Sequence, residues 1–230
     1  MSVIFRAKSL FLPLCLVASG AFAFSLADLS NQEASSGLKA ALEKGSIAAV
    51  GKLGVENGFL HNDKVKIQLP GVLEQARPLL KMTGRGQQLD ELVVSMNRAA
   101  EAAVPMAKPL LLNAVKSMSV TDAKNILTGG DNSVTNFFRE KTADQLGVKF
   151  LPIVKKITDR SGLSAQYNST MGQVSKLGLV QQQQATVESY VTQRALDGLY
   201  TMIGEEEKAI RQDPLGSGSK IIGKVFGALR

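Results

Sequence analysis

The sequence is poor in the residues on which most catalytic and metal sites depend. Its 230 residues include one histidine, one cysteine and no tryptophan. His61 lies in the polar stretch LHND beside Asp63, a context typical of a solvated turn. No G-x-S-x-G elbow and no H-E-x-x-H pattern is present, so serine or zinc catalysis has no support in the sequence. We therefore expect neither a metal nor a cofactor.

The single cysteine belongs to an N-terminal segment with the anatomy of a secretory signal peptide. It has a positive start with Arg6 and Lys8, an apolar centre from Leu10 to Val17, and a small-residue end from Ala21 to Ala23. We expect residues 1–23 to be removed, which would leave an exported chain starting at Phe24 in the periplasm or cell envelope. Cys15 would be lost with that segment, which excludes disulfide bonds and thiol catalysis for the mature chain.

The rest of the chain lacks both a long apolar run and a basic stripe. No later stretch reaches the roughly 18 consecutive apolar residues of a membrane-spanning helix. Removal of Arg6 and Lys8 lowers the formal net charge from +7 to +5. The remaining charges are interspersed, without the clustered cations and interleaved aromatics of a nucleic-acid surface. We expect no transmembrane span in the mature chain and no nucleic-acid partner.

What the sequence does contain is helical periodicity. Apolar spacing, caps and breakers predict helices over residues 34–53, 70–82, 87–104, 109–115, 148–158, 165–177 and 186–212. Two further helices are predicted between 115 and 148. One is short and begins after Ser119; the other contains Phe137 and Phe138 and would be capped by one of residues 131–133. Between the first two helices of the chain, Val65, Ile67 and Leu69 alternate like a short extended segment near residues 64–69. The pattern predicts an all-α fold, a single-domain multi-helix bundle over residues 24–213.

Two local patterns refine this prediction. Ser119 and Asp122 have the spacing of a capping box, in which Ser119 is the N-cap of a short helix. The run Glu205–Glu207 resembles a ligand cluster, but consecutive helical residues point about 100° apart and cannot converge on one ion. Glu207 and Arg211 have the i,i+4 spacing of an ion pair, which favours a solvated helix face.

Residues 214–230 predict a flexible joint followed by a basic amphipathic helix. Apolar residues such as Ile221 and Phe226 fall on one side of this helix, whereas Lys220 and Lys224 lie elsewhere. These four residues are candidates for contact with an anionic membrane surface or a partner protein. Alternatively, the helix closes the core of its own domain, which is the commoner fate of a terminal helix.

A polar cluster in the otherwise small-residue stretch NRAAEAAVPMA is the sharpest candidate site. At about 100° per residue, Asp90, Asn97 and Glu101 fall within about 40° of one another on the flank of an apolar stripe. Arg98 is within reach of Glu101, and Arg139 is a candidate partner from another helix. If a neighbouring helix covers this flank, the residues form a buried network that must be mutually satisfied. The alternatives are an interhelix tie, a wet helix edge, or a ligand-binding site; we favour the tie.

Several segments between Met96 and Pro214 also carry a family resemblance: MNRAAEAAVPMAKP, MSVTDAKNILTGG, FFREKT, LPIV, YVTQRALDGLY and EEEKAIRQDP. With SGLKAALEKGS and VKIQLP nearer the N-terminus, they resemble a family of exported bacterial proteins catalogued as domain of unknown function 4197. The resemblance covers nearly the whole mature chain. It implies a mostly helical secreted or periplasmic domain, and it brings no established activity.

Three functional hypotheses follow from these features. The first is a non-catalytic exported binding or interaction module with an apolar cavity or groove for a lipid or an envelope protein, because small and methionine-rich helices can line such a space. The second is a structural or assembly protein of the cell envelope that acts through its amphipathic C-terminus. The third and weakest is a carboxylate-based hydrolase around Asp90, Arg98 and Glu101.

Overall fold

The computed structural model describes residues 31–130, 132–160, 162, 164–169, 185–216 and 218–227. The predicted signal peptide, the candidate cap at Asp131 and the end of the helix predicted over 165–177 lie outside these ranges. Within them the chain forms eight α-helices and no strand, which confirms the all-α prediction. The helices are α1 (Asn31–Leu53), α2 (Gly71–Met82), α3 (Gly86–Ala103), α4 (Ala107–Lys116), α5 (Val120–Thr128), α6 (Ser133–Thr158), α7 (Val187–Gln212) and α8 (Lys220–Gly227). Residues 164–169 are also helical.

The two longest interior helices, α6 and α7, pack along each other at the centre of the bundle. Helix α3 packs against both of them, and α1 packs against α7 on another side. Helices α4, α5 and α8 then surround α1. Helices α6 and α7 are therefore each contacted from several directions.

Helix α6 is continuous where the sequence predicts two separate helices. Its core-facing stripe is Val134, Phe138, Thr142, Leu146, Phe150, Val154 and Thr158, all buried and spaced by four residues. Pro152 lies within this helix on its exposed side. A proline there removes one backbone hydrogen bond, but burial of the stripe, which is apolar except for Thr142 and Thr158, keeps the helix intact.

The connector between α1 and α2 shows the predicted alternation without forming a strand. Val65, Ile67 and Leu69 are buried, while the residues between them are more exposed. A tight turn precedes them, in which Asn57 has a positive φ of 67°. His61 is exposed in this turn, and its backbone N–H donates to the carbonyl of Asn57. The connector lies against α3, and Asn97 and Glu101 of α3 bond to the backbone of the connector and of the turn before it.

Candidate binding groove

Asn97 of α3 holds the extended connector by its side-chain carboxamide. Its Oδ1 accepts from the N–H of Ile67, and its Nδ2 donates to the carbonyl of the same residue, both at 2.9 Å. Nδ2 also donates to the carbonyl of Val93 at 2.8 Å. Asn97 is fully buried, and these bonds satisfy its amide group. It therefore ties the connector to α3.

Glu101, one turn further along α3, anchors the turn that precedes this segment. Its Oε1 accepts from the backbone N–H groups of Phe59 and Leu60, at 3.0 and 3.1 Å. Its Oε2 accepts from Arg98 at 2.6 Å, and Arg98 also donates to the side chain of Asn57 at 2.9 Å. The Glu101 side chain is only 5% exposed. Glu101 and Arg98 thus form a closed ion pair that holds a turn, and they do not line an open cleft.

The other two residues of the predicted cluster lie elsewhere. Asp90 is exposed and forms an ion pair with Arg77 of α2 at 3.3 Å. It shares a flank with Asn97, but seven residues of helix separate the two by about 10 Å along the axis. Arg139 of α6 forms an ion pair with Asp197 of α7 at 3.1 Å. The prediction that Asp90 and Arg139 join the network is therefore wrong.

Most of the residues that were predicted to form a contact surface on the C-terminal helix instead pack against other parts of this chain. Phe226 is 1% exposed, and Arg211 of α7 lies over its ring at 5.5 Å. Lys224 forms an ion pair with Glu33 of α1 at 2.7 Å. Lys220 stays exposed and Ile221 is partly buried. Phe226 is therefore unavailable for a membrane or a partner, because the apolar side of α8 packs against α1.

The candidate site that the structure does present is a groove between α6 and α7, here called the α6–α7 groove. It has a volume of about 650 Å³ and is open to solvent. Its lining is Arg139, Ala143, Asp144, Gly147, Val148 and Leu151 from α6, and Ser189, Thr192, Gln193, Leu196 and Tyr200 from α7. Each set follows one helical stripe, so the groove runs lengthwise between the two helices.

The apolar part of this groove reaches the surface. Val148 is 76% exposed and Leu151 is 41% exposed, next to the small residues Ala143 and Gly147. A Cβ atom added at Gly147 would meet no atom of the described residues within 4 Å, so the space above it is open to them. In contrast, an enclosed apolar cavity lined by Leu42, among others, has a volume of about 10 Å³. That is at most the room for one water molecule, so the groove is the better candidate for a ligand.

Polar groups mark one end of the α6–α7 groove. The guanidinium of Arg139 lies 5.0 Å from the centre of the Tyr200 ring, a favourable cation–π distance. The hydroxyl of Thr142 donates to the carbonyl of Phe138, so the Tyr200 hydroxyl, 2.9 Å away, donates to Thr142. Burial raises the pKa of the Tyr200 phenol, although Thr142 and Arg139 oppose this shift. Tyr200 is therefore neutral at physiological pH and shapes the groove wall.

Thr192 gives the groove an unsatisfied polar group. The residue is 7% exposed, and its hydroxyl has no hydrogen-bond partner in the described part of the chain. A buried hydroxyl without a partner is uncommon and costs stability. Thr192, Leu196 and Tyr200 are not among the site residues predicted from the sequence. The available signal was the small pair Ala143 and Gly147, four residues apart beside exposed apolar positions.

Two properties of the described residues concern other classes of site. They contain no group of three or more histidine, cysteine, aspartate or glutamate side chains placed to hold a metal ion. None of their helices is both long enough and apolar enough to cross a bilayer.

Comparison with known proteins identifies a family for nearly the whole chain. The model of a family described as "Protein of unknown function (DUF4197)" matches residues 28–227. This match confirms the resemblance inferred from the sequence segments. No curated protein and no solved structure matches the chain significantly.

Proposed function

Because this chain belongs to the DUF4197 family, whose function is unknown, we propose a function from its own geometry: it is an exported, non-catalytic binding module whose α6–α7 groove holds an apolar ligand. The observation that carries this proposal is the groove itself. Its volume of about 650 Å³ lies within the range of small-molecule and cofactor sites, which combine apolar walls with a few polar groups.

The exposed apolar surface of the groove supports binding. Val148 exposes most of its side chain, and Leu151 extends the same apolar surface. Single exposed apolar residues are ordinary, but a continuous apolar surface in a concave site is typical of an interaction site. Thr192 adds a buried hydroxyl that has no hydrogen-bond partner among the described residues. A ligand would remove the apolar surface from water, and a small shift of Thr192 would give its hydroxyl a partner.

A non-catalytic role is supported by the way the buried carboxylates are used. Glu101 holds the turn before the connector. Glu188 accepts from Thr158 at the end of α6 and from Asn168 of the neighbouring helical segment. Glu207 forms an ion pair with Arg211, which also donates to the carbonyl of Ile126. Each of these groups joins separate segments, as buried polar networks commonly do.

Ligand binding is tested by filling the groove at Gly147. A fluorescent apolar probe, N-phenyl-1-naphthylamine, is titrated into the wild-type protein, Gly147→Leu and Gly51→Leu. Both glycines lie in helices with open space around them, so both leucines fit the fold, but only Gly147 lines the groove. We expect the dissociation constant to rise by about tenfold or more in Gly147→Leu, which corresponds to about 1.4 kcal/mol. Equal dissociation constants for all three proteins would contradict the proposal.

Export is tested separately, from the protein made with its natural N-terminus. We expect N-terminal sequencing of the material from the periplasmic or envelope fraction to begin at Phe24, because a small-x-small end precedes it. A chain that keeps residues 1–23 and stays in the cytoplasmic fraction would contradict this part of the proposal.

A further inference from the structure

We propose that the occupant of the α6–α7 groove is an amphipathic helix of a partner protein, with an acidic and a basic residue four positions apart. This inference rests on the proposed function and specifies the ligand. The lining extends from Arg139 to Leu151 on α6 and from Ser189 to Tyr200 on α7. At 1.5 Å per residue, these stripes are about 17 Å long, which matches about three turns of a third helix.

The backbone of the occupant decides between a helix and an extended peptide. A buried extended peptide needs partners for its N–H and C=O groups, whereas a helix satisfies its own. The chain's own connector shows the requirement: Ile67 needs the whole carboxamide of Asn97, and the carbonyl of Gln68 accepts from the Tyr190 hydroxyl. In the groove, the Nε2 of Gln193 already donates a hydrogen bond to Asp197. The few remaining polar groups cannot serve an extended chain along 17 Å.

The shape of the α6 wall also favours a helix. Ala143 and Gly147 are four residues apart and place two small side chains on the same ridge. Small residues at such a ridge let a second helix approach closely. Val148 and Leu151 stand beside them as exposed apolar side chains, available to pack between the side chains of an incoming helix.

Charge complementarity distinguishes a partner helix from an acyl chain. Arg139 donates to Asp197, but Asp197 is shared with Arg194 at 2.9 Å, so two guanidinium groups face one carboxylate. Asp144 is exposed and has no hydrogen bond or ion pair within the described residues. Arg139 and Asp144 are about 7.5 Å apart along the axis, close to the 6 Å between i and i+4 positions on a facing helix. The carboxylate of a fatty acid would pair with Arg139, but it would leave Asp144 unused.

The experiment selects the ligand without assuming its sequence. A phage-displayed library of 12-residue peptides is selected against the purified protein, with Gly147→Leu as the counter-selection and Gly51→Leu as the positive control. We expect enriched peptides to carry apolar residues at i, i+3 or i+4, and i+7, with an acid and a base four apart. A central proline in the consensus peptide should weaken binding at least about tenfold, because it breaks the helix.

Charge exchange tests the orientation of the bound helix. Asp144→Lys should weaken binding of the consensus peptide about threefold, the effect of one exposed ion pair, and replacing the peptide's basic residue by Glu should restore it. Enriched peptides with a period of two, or peptides that bind Gly147→Leu equally well, would overturn the inference. So would a Gly147-dependent dimer in analytical ultracentrifugation, or competition for the groove by fatty acids with no enriched peptide. In the last case the naphthylamine probe still reports an apolar site, so the proposed function stands while the helical ligand is rejected.

Discussion

At the scale of single residues, the carboxamide of Asn97 takes the place that a neighbouring strand would have in a sheet. It accepts from the N–H of Ile67 and donates to its carbonyl, which is the pairing that one strand residue offers another. This is why Val65, Ile67 and Leu69 alternate in burial although no strand forms there. The Tyr190 hydroxyl adds a second side-chain contact, to the carbonyl of Gln68.

Replacing Asn97 by alanine tests this role. Asn97→Ala leaves the N–H and carbonyl of Ile67 buried without their partner, so we expect the free energy of unfolding to fall by about 2–3 kcal/mol. The measurement is urea denaturation followed by far-UV circular dichroism. Asn113→Ala is the matched control, because Asn113 is exposed on α4, and its effect should stay within about 0.5 kcal/mol. Equal effects of the two substitutions would mean that the carboxamide does not hold the connector.

Residue-scale features also mark the limit of sequence analysis. The angular spacing on α3 correctly places Asn97 and Glu101 on one flank, but it assigns Asp90 to the same cluster. Position around a helix says nothing about position along a neighbouring segment, and Asp90 lies two turns away. The i,i+4 pair of Glu207 and Arg211 forms as the spacing predicts, yet Glu207 is 5% exposed rather than solvated. Glu207 is buried because α1 and α8 pack beside it. The spacing of residues within one helix does not predict such packing.

At the scale of helices, short-range signals predict boundaries well and long-range packing decides the rest. The capping box of α5 forms as predicted, because Ser119 and Asp122 need only each other. Thr186 likewise caps α7 by accepting from the N–H of Ser189. The continuity of α6 through Pro152 and the groove between α6 and α7 were not predictable, since both depend on packing between residues far apart in the sequence, such as Arg139 and Tyr200.

The α5 cap should depend on pH. Hydrogen bonds from the backbone N–H and hydroxyl of Ser119 lower the pKa of the Asp122 carboxyl in the folded state. A lowered folded-state pKa stabilises the fold above the unfolded-state pKa, and this contribution is lost as the pH falls through the folded-state value. We therefore expect Ser119→Ala to cost about 1 kcal/mol at pH 7 and to raise the Asp122 pKa in an NMR titration. An unchanged Asp122 pKa would mean that the Ser119 hydroxyl does not contribute to the shift.

Close packing of α8 on α1 should depend on one glycine. A Cβ atom at Gly37 would overlap a methyl carbon of Val225 and would lie 3.0 Å from the carbonyl oxygen of Ile221. We expect Gly37→Ala to lower the free energy of unfolding by about 1–3 kcal/mol, because α8 must shift. At Gly51, in the same helix, an added Cβ meets nothing within 4 Å. Gly51→Ala should therefore stabilise the protein by about 0.5–1 kcal/mol through helix propensity. If denaturation curves showed that the free energy of unfolding changes in the same direction in both variants, this explanation would be refuted.

At the scale of the whole molecule, the two ends of the described chain meet. Helix α8 packs against α1, and Lys224 pairs with Glu33 across that contact. The groove lies between α6 and α7, and α8 contributes no residue to its lining. Stability and ligand binding are therefore separable by mutation: substitutions under α8 should weaken the fold, whereas groove substitutions should alter binding.

Deletion of Lys220–Arg230 tests whether the tail is part of the core or a surface appendage. Ile222, Val225 and Phe226 are at most 1% exposed. At about 1.5–3 kcal/mol for each buried side chain, their loss should cost on the order of 5 kcal/mol, a large part of the 5–15 kcal/mol typical of a folded protein. A tail that acts only on a membrane or partner would leave urea denaturation of the isolated protein unchanged.

A single substitution also tests whether α8 is part of the core, and it serves as the test if the truncated chain does not fold. Phe226→Ala leaves a cavity under α8, and we expect it to lower the free energy of unfolding by about 3–4 kcal/mol. The double variant Lys220→Gln, Lys224→Gln is the control, because it removes the positive charge of the helix but leaves its apolar side in place. Its effect should stay below about 1 kcal/mol, since Lys220 is exposed and the Lys224 pair is partly solvated. If the lysine variant were instead the more destabilising one, α8 would be held by charge, and the burial of Phe226 would not be its main attachment.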